Sequence, residues 1–311
     1  MTATVLFAAK PSDWATWADP LRAAFAAAGV DADLATDHPA DRVDYVVYAP
    51  HDGFGGFDRF PRLKAVLSLW AGVERIVGDP TLTVPLARMV DPGLTAGMIE
   101  YVAGHVLRHH LDLDRSLAAS RAGDWDYAAP PLAADRRVGV LGLGALGAPV
   151  ATALAALGFD VAGWSRRPKE VPGIEAHAGD GGLATVLARS DILVLLLPAT
   201  PDTEGLIDAA ALARLPAGAV IVNPGRGTLI DDDALLAALD RGHLAHATLD
   251  VFRTEPLPAD HPFWAHPSVT VTPHVASATR PPTASTVIAE NVRRREAGEP
   301  LLHLVDRDAG Y

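Results

Sequence analysis

From Val138 onward the chain alternates short apolar runs with alanine-rich stretches of helical pattern. The runs are "VGVLGL", "FDVAGW", "DILVLLL", "AVIVNPG", "HATLDVF" and "VTVTP"; between them lie "ALGAPVATALAALG", "GGLATVLARS", "DAAALARLPAG" and "DDDALLAALDRG". Continuous apolar runs read as strands buried on both faces, and their alternation with helices predicts a doubly wound parallel sheet. The first strand runs straight into Gly142-x-Gly144-x-x-Gly147, which opens a helix. In that context the first glycine permits a tight turn, the second lets the backbone approach a pyrophosphate, and the third lets helix and strand pack closely. Gly142, Gly144, Ala145, Leu146 and Gly147 are therefore expected to hold a dinucleotide, with its anion on the helix N-terminus.

The end of the next strand chooses between cofactors. An NAD enzyme usually carries an acidic residue there, about 20 residues beyond the glycines, on the ribose hydroxyls. Here the end reads Trp164-Ser165-Arg166-Arg167, and Asp160 sits at the start of the strand, the wrong end. Two guanidiniums and a hydroxyl suit a 2′-phosphate. NADP(H) is the preferred expectation, with NAD(H) possible.

The first ninety residues form a second, smaller α/β pattern. "TVLFAA", "VDYVVYAP", "LKAVLSLWAGV" and "TVPLARMVD" read as strands, and "WADPLRAAFAAAG" as a helix closing on Gly29. A long helical pattern from about Leu94 to Arg121 follows and would connect two domains. The tail "EPLLHLVDRDAGY" is too apolar to hang free and is expected to pack back on the first region. The expected fold is thus α/β with two Rossmann-like domains. Residues 1–96 plus 290–311 would form a flavodoxin-like substrate-binding domain, and residues 97–289 the dinucleotide-binding domain.

Composition narrows the partners. A formal net charge of −12 argues against nucleic acid, whose phosphates need a dense basic face. The absence of cysteine removes disulfides, thiolate nucleophiles and Cys-ligated zinc, and fits a reducing cytoplasm. No apolar run approaches the roughly 18 residues a membrane span needs, and the N-terminal pattern is not that of a signal peptide, so a cytoplasmic location and no membrane partner are expected. His105 and His109 lie four apart on a helical pattern, yet no third ligand is evident and no metal site is expected. Asp231, Asp232 and Asp233 read as a helix cap and first turn.

Three stretches carry a resemblance. "NPGRGTLIDDDALLAALDRGHLAHATLDVFRTEPLP", "VTVTPHVAS" and "LWAGVE" resemble signature segments of the D-isomer-specific 2-hydroxyacid dehydrogenases. Segments such as "GWSRRPK" and "VDRDAGY" are most similar to the glyoxylate/hydroxypyruvate reductase A branch. The resemblance implies Arg226, Glu255 and His274 as the catalytic set, with Arg226 and Glu255 at the family's usual interval. Reduction of a 2-keto acid moves a hydride to the carbonyl carbon while a proton reaches the oxygen. His274 would supply that proton, Glu255 on its other ring nitrogen would orient it, and Arg226 would hold the substrate carboxylate and polarise the carbonyl.

The resemblance also implies backbone N–H groups of Ala71, Gly72 and Val73 on the substrate carboxylate. It implies further cofactor contacts at Leu197, Pro198, Asp250 and Ser277, which join Trp164, Ser165, Arg166 and Arg167 at the strand end and Pro224 in the expected cofactor site. Trp70 and Pro224 stand where the family often carries small residues, and Trp70 would reshape the pocket. By the same resemblance the substrates are glyoxylate and hydroxypyruvate, the site lies in a cleft between domains, and the chain forms a homodimer through the long helix. Two other readings stay open at this point: an NAD-dependent dehydrogenase of a bulkier 2-hydroxy acid, and a nucleotide-sensing binding protein like the corepressors that share the fold.

Overall fold

The apolar runs become parallel strands. In the computed structural model, which describes residues 2–311, every pairing between named strands is parallel. The chain divides into two units: residues up to Leu94 together with Ala278–Tyr311, and Thr95–Ser277.

The first unit holds β1 (Ala3–Ala8), α1 (Trp14–Ala27), β2 (Ala32–Ala35), β3 (Tyr45–Tyr48), β4 (Ala65–Ser68), the single turn α2 (Glu74–Val77) and β5 (Leu86–Ala87). The sheet order is β2-β1-β3-β4-β5. Side chains of β1, β3 and β4 alternate between two apolar layers. Val5, Phe7, Tyr45, Val47 and Leu67 meet Leu21, Ala24 and Phe25 of α1 on one face. Leu6, Val46 and Val66 meet Phe54, Phe57, Phe60 and Ile76 on the other. Burial on both faces is why these strands read as unbroken apolar runs. The tail packs back as expected: Leu304 bridges to Ala87 and Val305 enters the second layer.

The second unit begins in a helix shared with the boundary, α3 (Pro92–His110), followed by α4 (Leu113–Ala122). The expected continuous helix is broken at Asp112, whose left-handed φ of 50° interrupts it, and α4 has no buried residue. Next come β6 (Arg137–Leu141), α5 (Gly147–Ala156), β7 (Asp160–Ser165), β8 (Glu175–Ala178), α6 (Gly179–Arg189), β9 (Ile192–Leu195), α7 (Ala209–Arg214), β10 (Ala219–Asn223), α8 (Asp232–Asp240), β11 (Leu244–Leu249) and β12 (Val269–Val271). The order β12-β11-β10-β9-β6-β7-β8 reverses direction between β6 and β9. A ligand of such a sheet binds beyond the carboxyl ends of the strands at this switch point.

Two differences from expectation have physical causes. The last helix, α9 (Pro281–Glu296), lies wholly in the first unit, where Ala284, Ile288, Ala289 and Val292 pack in the same layer as α1. The second division therefore falls at 277/278 instead of 289/290. The strands β2 and β8 escaped the sequence reading because both are edge strands of mixed polarity, half-exposed along their length. The aspartate run behaves as expected, with Asp231 capping α8 through the Ala234 amide at 2.9 Å.

Candidate active site

The glycine loop sits at the switch point. The Leu196 amide donates to the Leu141 carbonyl at 2.8 Å, which joins the ends of β6 and β9 directly beneath the loop. Gly142 adopts φ +105°, and a Cβ on Gly147 would stand 1.7 Å from the Gly142 carbonyl oxygen, so the turn closes only without side chains. The exposed middle glycine, Gly144, has nothing within 4 Å of a notional Cβ. The loop is thus tight at its base and open at its rim, the shape a pyrophosphate cradle needs. Ala145 and Leu146 are half-buried beside it.

At the end of β7, Ser165 donates its hydroxyl to the Arg167 carbonyl at 2.7 Å and so fixes the turn that presents Arg166 and Arg167 to solvent. Arg166 pairs with Asp202 at 2.8 Å. Asp160, at the other end of β7, pairs with Arg189 at 2.6 Å. Lys169, which the sequence reading left without a role, donates to the Leu143 carbonyl at 2.8 Å and ties this basic turn to the glycine loop. The signal for it was the proximity of a third cation in the same run.

Three residues expected at the cofactor have buried side chains. The Trp164 indole is buried in the sheet core and donates to the Gly179 carbonyl at 2.8 Å. Pro224 is buried within its turn. Asp250 has no exposed surface, and its carboxylate accepts from the Val275 and Ala276 amides at 2.9 and 2.8 Å and from the Thr272 hydroxyl at 2.6 Å. These engagements make Asp250 the anchor of the loop that carries His274. Leu197 is also in the core, whereas Pro198 is half-buried and its carbonyl accepts from Thr203 at 2.7 Å. Ser277 lies against α3, where a Cβ on Gly97 would approach its hydroxyl to 2.7 Å.

Arg226, Glu255 and His274 follow β10, β11 and β12, three adjacent strands. His274 Nδ1 and Glu255 Oε2 are 2.7 Å apart, and Glu255 Oε1 accepts the Phe252 amide at 2.9 Å. The carboxylate is thereby held on both oxygens, and the imidazole keeps Nε2 for other contacts. His274 has φ +54°, a left-handed conformation that costs a non-glycine residue about 1–2 kcal/mol. Its amide donates to the Asp250 carbonyl at 2.8 Å, which together with the Asp250 carboxylate holds that shape.

Arg226 is presented by a turn whose organiser the sequence reading missed. The Asn223 side chain donates to the Arg226 carbonyl at 2.9 Å and accepts from the Gly225 amide at 3.1 Å. The Arg226 guanidinium also bonds the Gly225 carbonyl at 2.6 Å.

On the first unit, the Ala71–Val73 turn joins β4 to α2. Ser68 both accepts from the Trp70 amide and donates to its carbonyl, each at 3.0 Å, and Thr279 donates to the Leu69 carbonyl at 2.7 Å. Trp70 itself is exposed.

A dinucleotide loop at the switch point, with a histidine–glutamate couple and an arginine on the neighbouring strand ends, defines the class: a nicotinamide-nucleotide-dependent oxidoreductase. Comparison with known proteins narrows it. The profile of the D-isomer specific 2-hydroxyacid dehydrogenase NAD binding domain matches residues 103–276, and the chain belongs to that family. It is 40% identical over 282 residues to glyoxylate/hydroxypyruvate reductase A of Serratia proteamaculans, covering 88% of this chain and 89% of that one. A D-isomer specific 2-hydroxyacid dehydrogenase from Xanthobacter autotrophicus Py2, solved with NADPH and MES, superposes with a TM-score of 0.92 at 45% identity over 99% of both chains. An NADPH-dependent glyoxylate/hydroxypyruvate reductase from Sinorhizobium meliloti, solved with NADP and sulfate, gives 0.87 at 37% identity over 99% of this chain and 100% of that one.

Proposed function

We propose that this chain reduces small 2-keto acids, glyoxylate and hydroxypyruvate, to 2-hydroxy acids, with NADPH as the cofactor. The observation that carries the reading is the His274–Glu255 couple at 2.7 Å on the strand end next to Arg226. The residues at the glycine loop fit a dinucleotide: a closed turn, an open rim at Gly144, and three cations but no carboxylate at the end of β7 itself. When bound, the cofactor supplies the hydride.

His274 holds the proton at Nε2 and delivers it to the substrate oxygen as charge develops there. Glu255 fixes the ring through Nδ1, so that Nε2 alone faces outward. Arg226 binds the substrate carboxylate and stabilises the same oxygen. The amides of Ala71, Gly72 and Val73 are assigned to the carboxylate as well. Arg166, Arg167, Ser165 and Lys169 are assigned to the 2′-phosphate, and Ala145, Leu146, Pro198 and Ser277 to the rest of the cofactor.

The names of the similar proteins support this substrate and cofactor class. The chain is further read as a cytoplasmic homodimer. The absence of cysteine suits a reducing compartment. Three large side chains on the segment after α4 have no cover of their own, with Trp125 93%, Tyr127 83% and Leu132 74% exposed. Oxidation of NADPH and of NADH by the purified protein, with glyoxylate, hydroxypyruvate, pyruvate and phenylpyruvate, tests the reading. The expected result is NADPH-linked turnover on the small acids; NADH-linked turnover confined to the bulkier acid would replace it with the dehydrogenase alternative.

A further inference from the structure

We propose that Tyr101 and Thr272 are positioning residues for the proton donor, acting through a hydrogen-bonded chain from α3 to the loop that carries His274. The inference rests on the reading of His274 as general acid. Thr272 follows β12 and precedes Pro273; its hydroxyl donates to Asp250 Oδ1 at 2.6 Å and lies 2.7 Å from the Tyr101 phenol oxygen. A carboxylate that already takes two backbone amides is an acceptor only, so the single Thr272 proton points at Asp250. The Tyr101 hydroxyl must then donate to Thr272. Both links have one direction, and the chain ends on the Val275 and Ala276 amides, the residues immediately after His274.

The arrangement explains how a non-glycine residue stays in the left-handed region at the active site. His274 is flanked by Thr272 on one side and by Val275 and Ala276 on the other, and all three converge on one buried carboxylate. Asp250 needs a rigid reference behind it, and α3 provides one at two points. Tyr101 reaches Thr272, and Gly97, one turn earlier, lies against Ser277, whose hydroxyl a Cβ there would approach to 2.7 Å. The ring of His105, 4.5 Å from that of Tyr101, packs the phenol in place. Burial pushes the Tyr101 phenol up to about 12, which keeps it protonated and a donor at neutral pH.

Removal of the Thr272 hydroxyl leaves the fold's apolar packing intact while releasing one side of His274. A small displacement of a catalytic group is amplified in rate, since misplacement by 1 Å can cost about a hundredfold. For glyoxylate reduction with NADPH, Thr272→Val is expected to lower kcat about tenfold and Tyr101→Phe severalfold, with the KM for NADPH within about twofold of the parent. Slowed proton delivery raises the solvent deuterium isotope effect on kcat in both. Thr272→Ser keeps the hydroxyl and restores kcat to within about twofold. Hydrogen exchange at the Val275 and Ala276 amides, read in the same proteins, is expected to quicken in Thr272→Val and Tyr101→Phe but not in Thr272→Ser.

Parental kcat, isotope effect and amide exchange in Tyr101→Phe and Thr272→Val would overturn the proposal, as would a serine variant no better than valine. If Thr272→Val does not fold, Tyr101→Phe, which loses one oxygen atom, carries the test. A parent protein inactive on every keto acid, with exchange at the two amides responding as expected, would sink the proposed reaction while the anchoring of the loop stands.

Discussion

Gly227 lies against the backbone of Phe252: a Cβ at Gly227 would stand 2.0 Å from the Phe252 carbonyl carbon and 2.5 Å from the Arg253 nitrogen. The turn that presents Arg226 is therefore docked, backbone to backbone, on the segment that leads to Glu255. No flexible side chain is available there to yield. Gly227→Ala is expected to force the two segments apart and to lower stability by about 1–3 kcal/mol. It is also expected to reduce kcat/KM for the keto acid far more than it weakens NADPH binding. Thermal melts and steady-state kinetics on the same sample check this; a variant with parental kcat/KM would show that the Arg226 turn tolerates displacement.

On the proposed reading, the basic turn after β7 sets cofactor preference. Arg166 and Arg167 are exposed, and Lys169 is tied to the glycine loop. Arg166→Ala combined with Arg167→Ala is expected to weaken NADPH binding by about 10- to 100-fold, the loss of one or two charge-assisted contacts, and to leave NADH binding nearly unchanged. Titration of each cofactor by fluorescence measures it. Equal losses for both cofactors would indicate a damaged loop in place of a lost phosphate site.

The half-buried histidines His109 of α3 and His246 of β11 are expected to make the second unit sensitive to acid. His109 bonds Thr248 at 2.9 Å, His246 bonds Thr270 at 2.8 Å, and their rings are 5.0 Å apart. Burial, then the neighbouring His246 and Arg108, push His109 down to about 3; burial and Arg108 push His246 down to about 4, with Asp114 opposing in both. The unfolded chain binds protons at these sites from about pH 6.5 downward, while the folded protein does not until about pH 4 or 3. The stability is thus fully present above about pH 6.5 and falls as pH drops through that window, by roughly 1–2 kcal/mol per histidine at pH 5. His109→Gln and His246→Gln are expected to flatten the difference in Tm between pH 7 and pH 5. An acid-induced loss identical to that of the parent protein would remove these two groups from the account.

The exposed Trp125, Tyr127 and Leu132 are expected to be covered by a second copy of the chain. Their joint replacement by serine should convert a dimer to a monomer in sedimentation velocity, with little effect on far-ultraviolet circular dichroism. A parent protein that sediments as a monomer would contradict the dimeric reading.

Much of this molecule was legible from its sequence because its strands are buried on both faces. The apolar runs at Tyr45–Tyr48, Ile192–Leu195 and Ala219–Asn223 announce themselves, and Gly142, Gly144 and Gly147 carry a local geometric demand that few other contexts share. The His274–Glu255 contact joins two signature segments, each legible on its own. What was hidden depends on three-dimensional neighbours. Asp250 stood at a strand end, and its part in anchoring the His274 loop appears only once the 275 and 276 amides are placed. Trp164 sat at the right strand end with its side chain on the inward face. Asn223 and Thr272 stand inside signature segments and Tyr101 in the long helix, yet their roles appear only when the ends of β10 and β12 and the helix α3 are placed in space. The helix break at Asp112 had no proline or glycine to announce it.

The central claim is that Arg226, Glu255 and His274 perform the chemistry on a small 2-keto acid. The most direct measurement is single-turnover oxidation of enzyme-bound NADPH by glyoxylate in the parent protein, His274→Ala, Glu255→Gln and Arg226→Ala, with NADPH affinity determined in parallel. The expected result is a rate of hydride transfer reduced by about 10²- to 10⁴-fold in His274→Ala and Arg226→Ala, and by less in Glu255→Gln, at unchanged NADPH affinity. Rapid oxidation in His274→Ala, equal to that of the parent protein, would contradict the assignment of the proton donor and with it the mechanism.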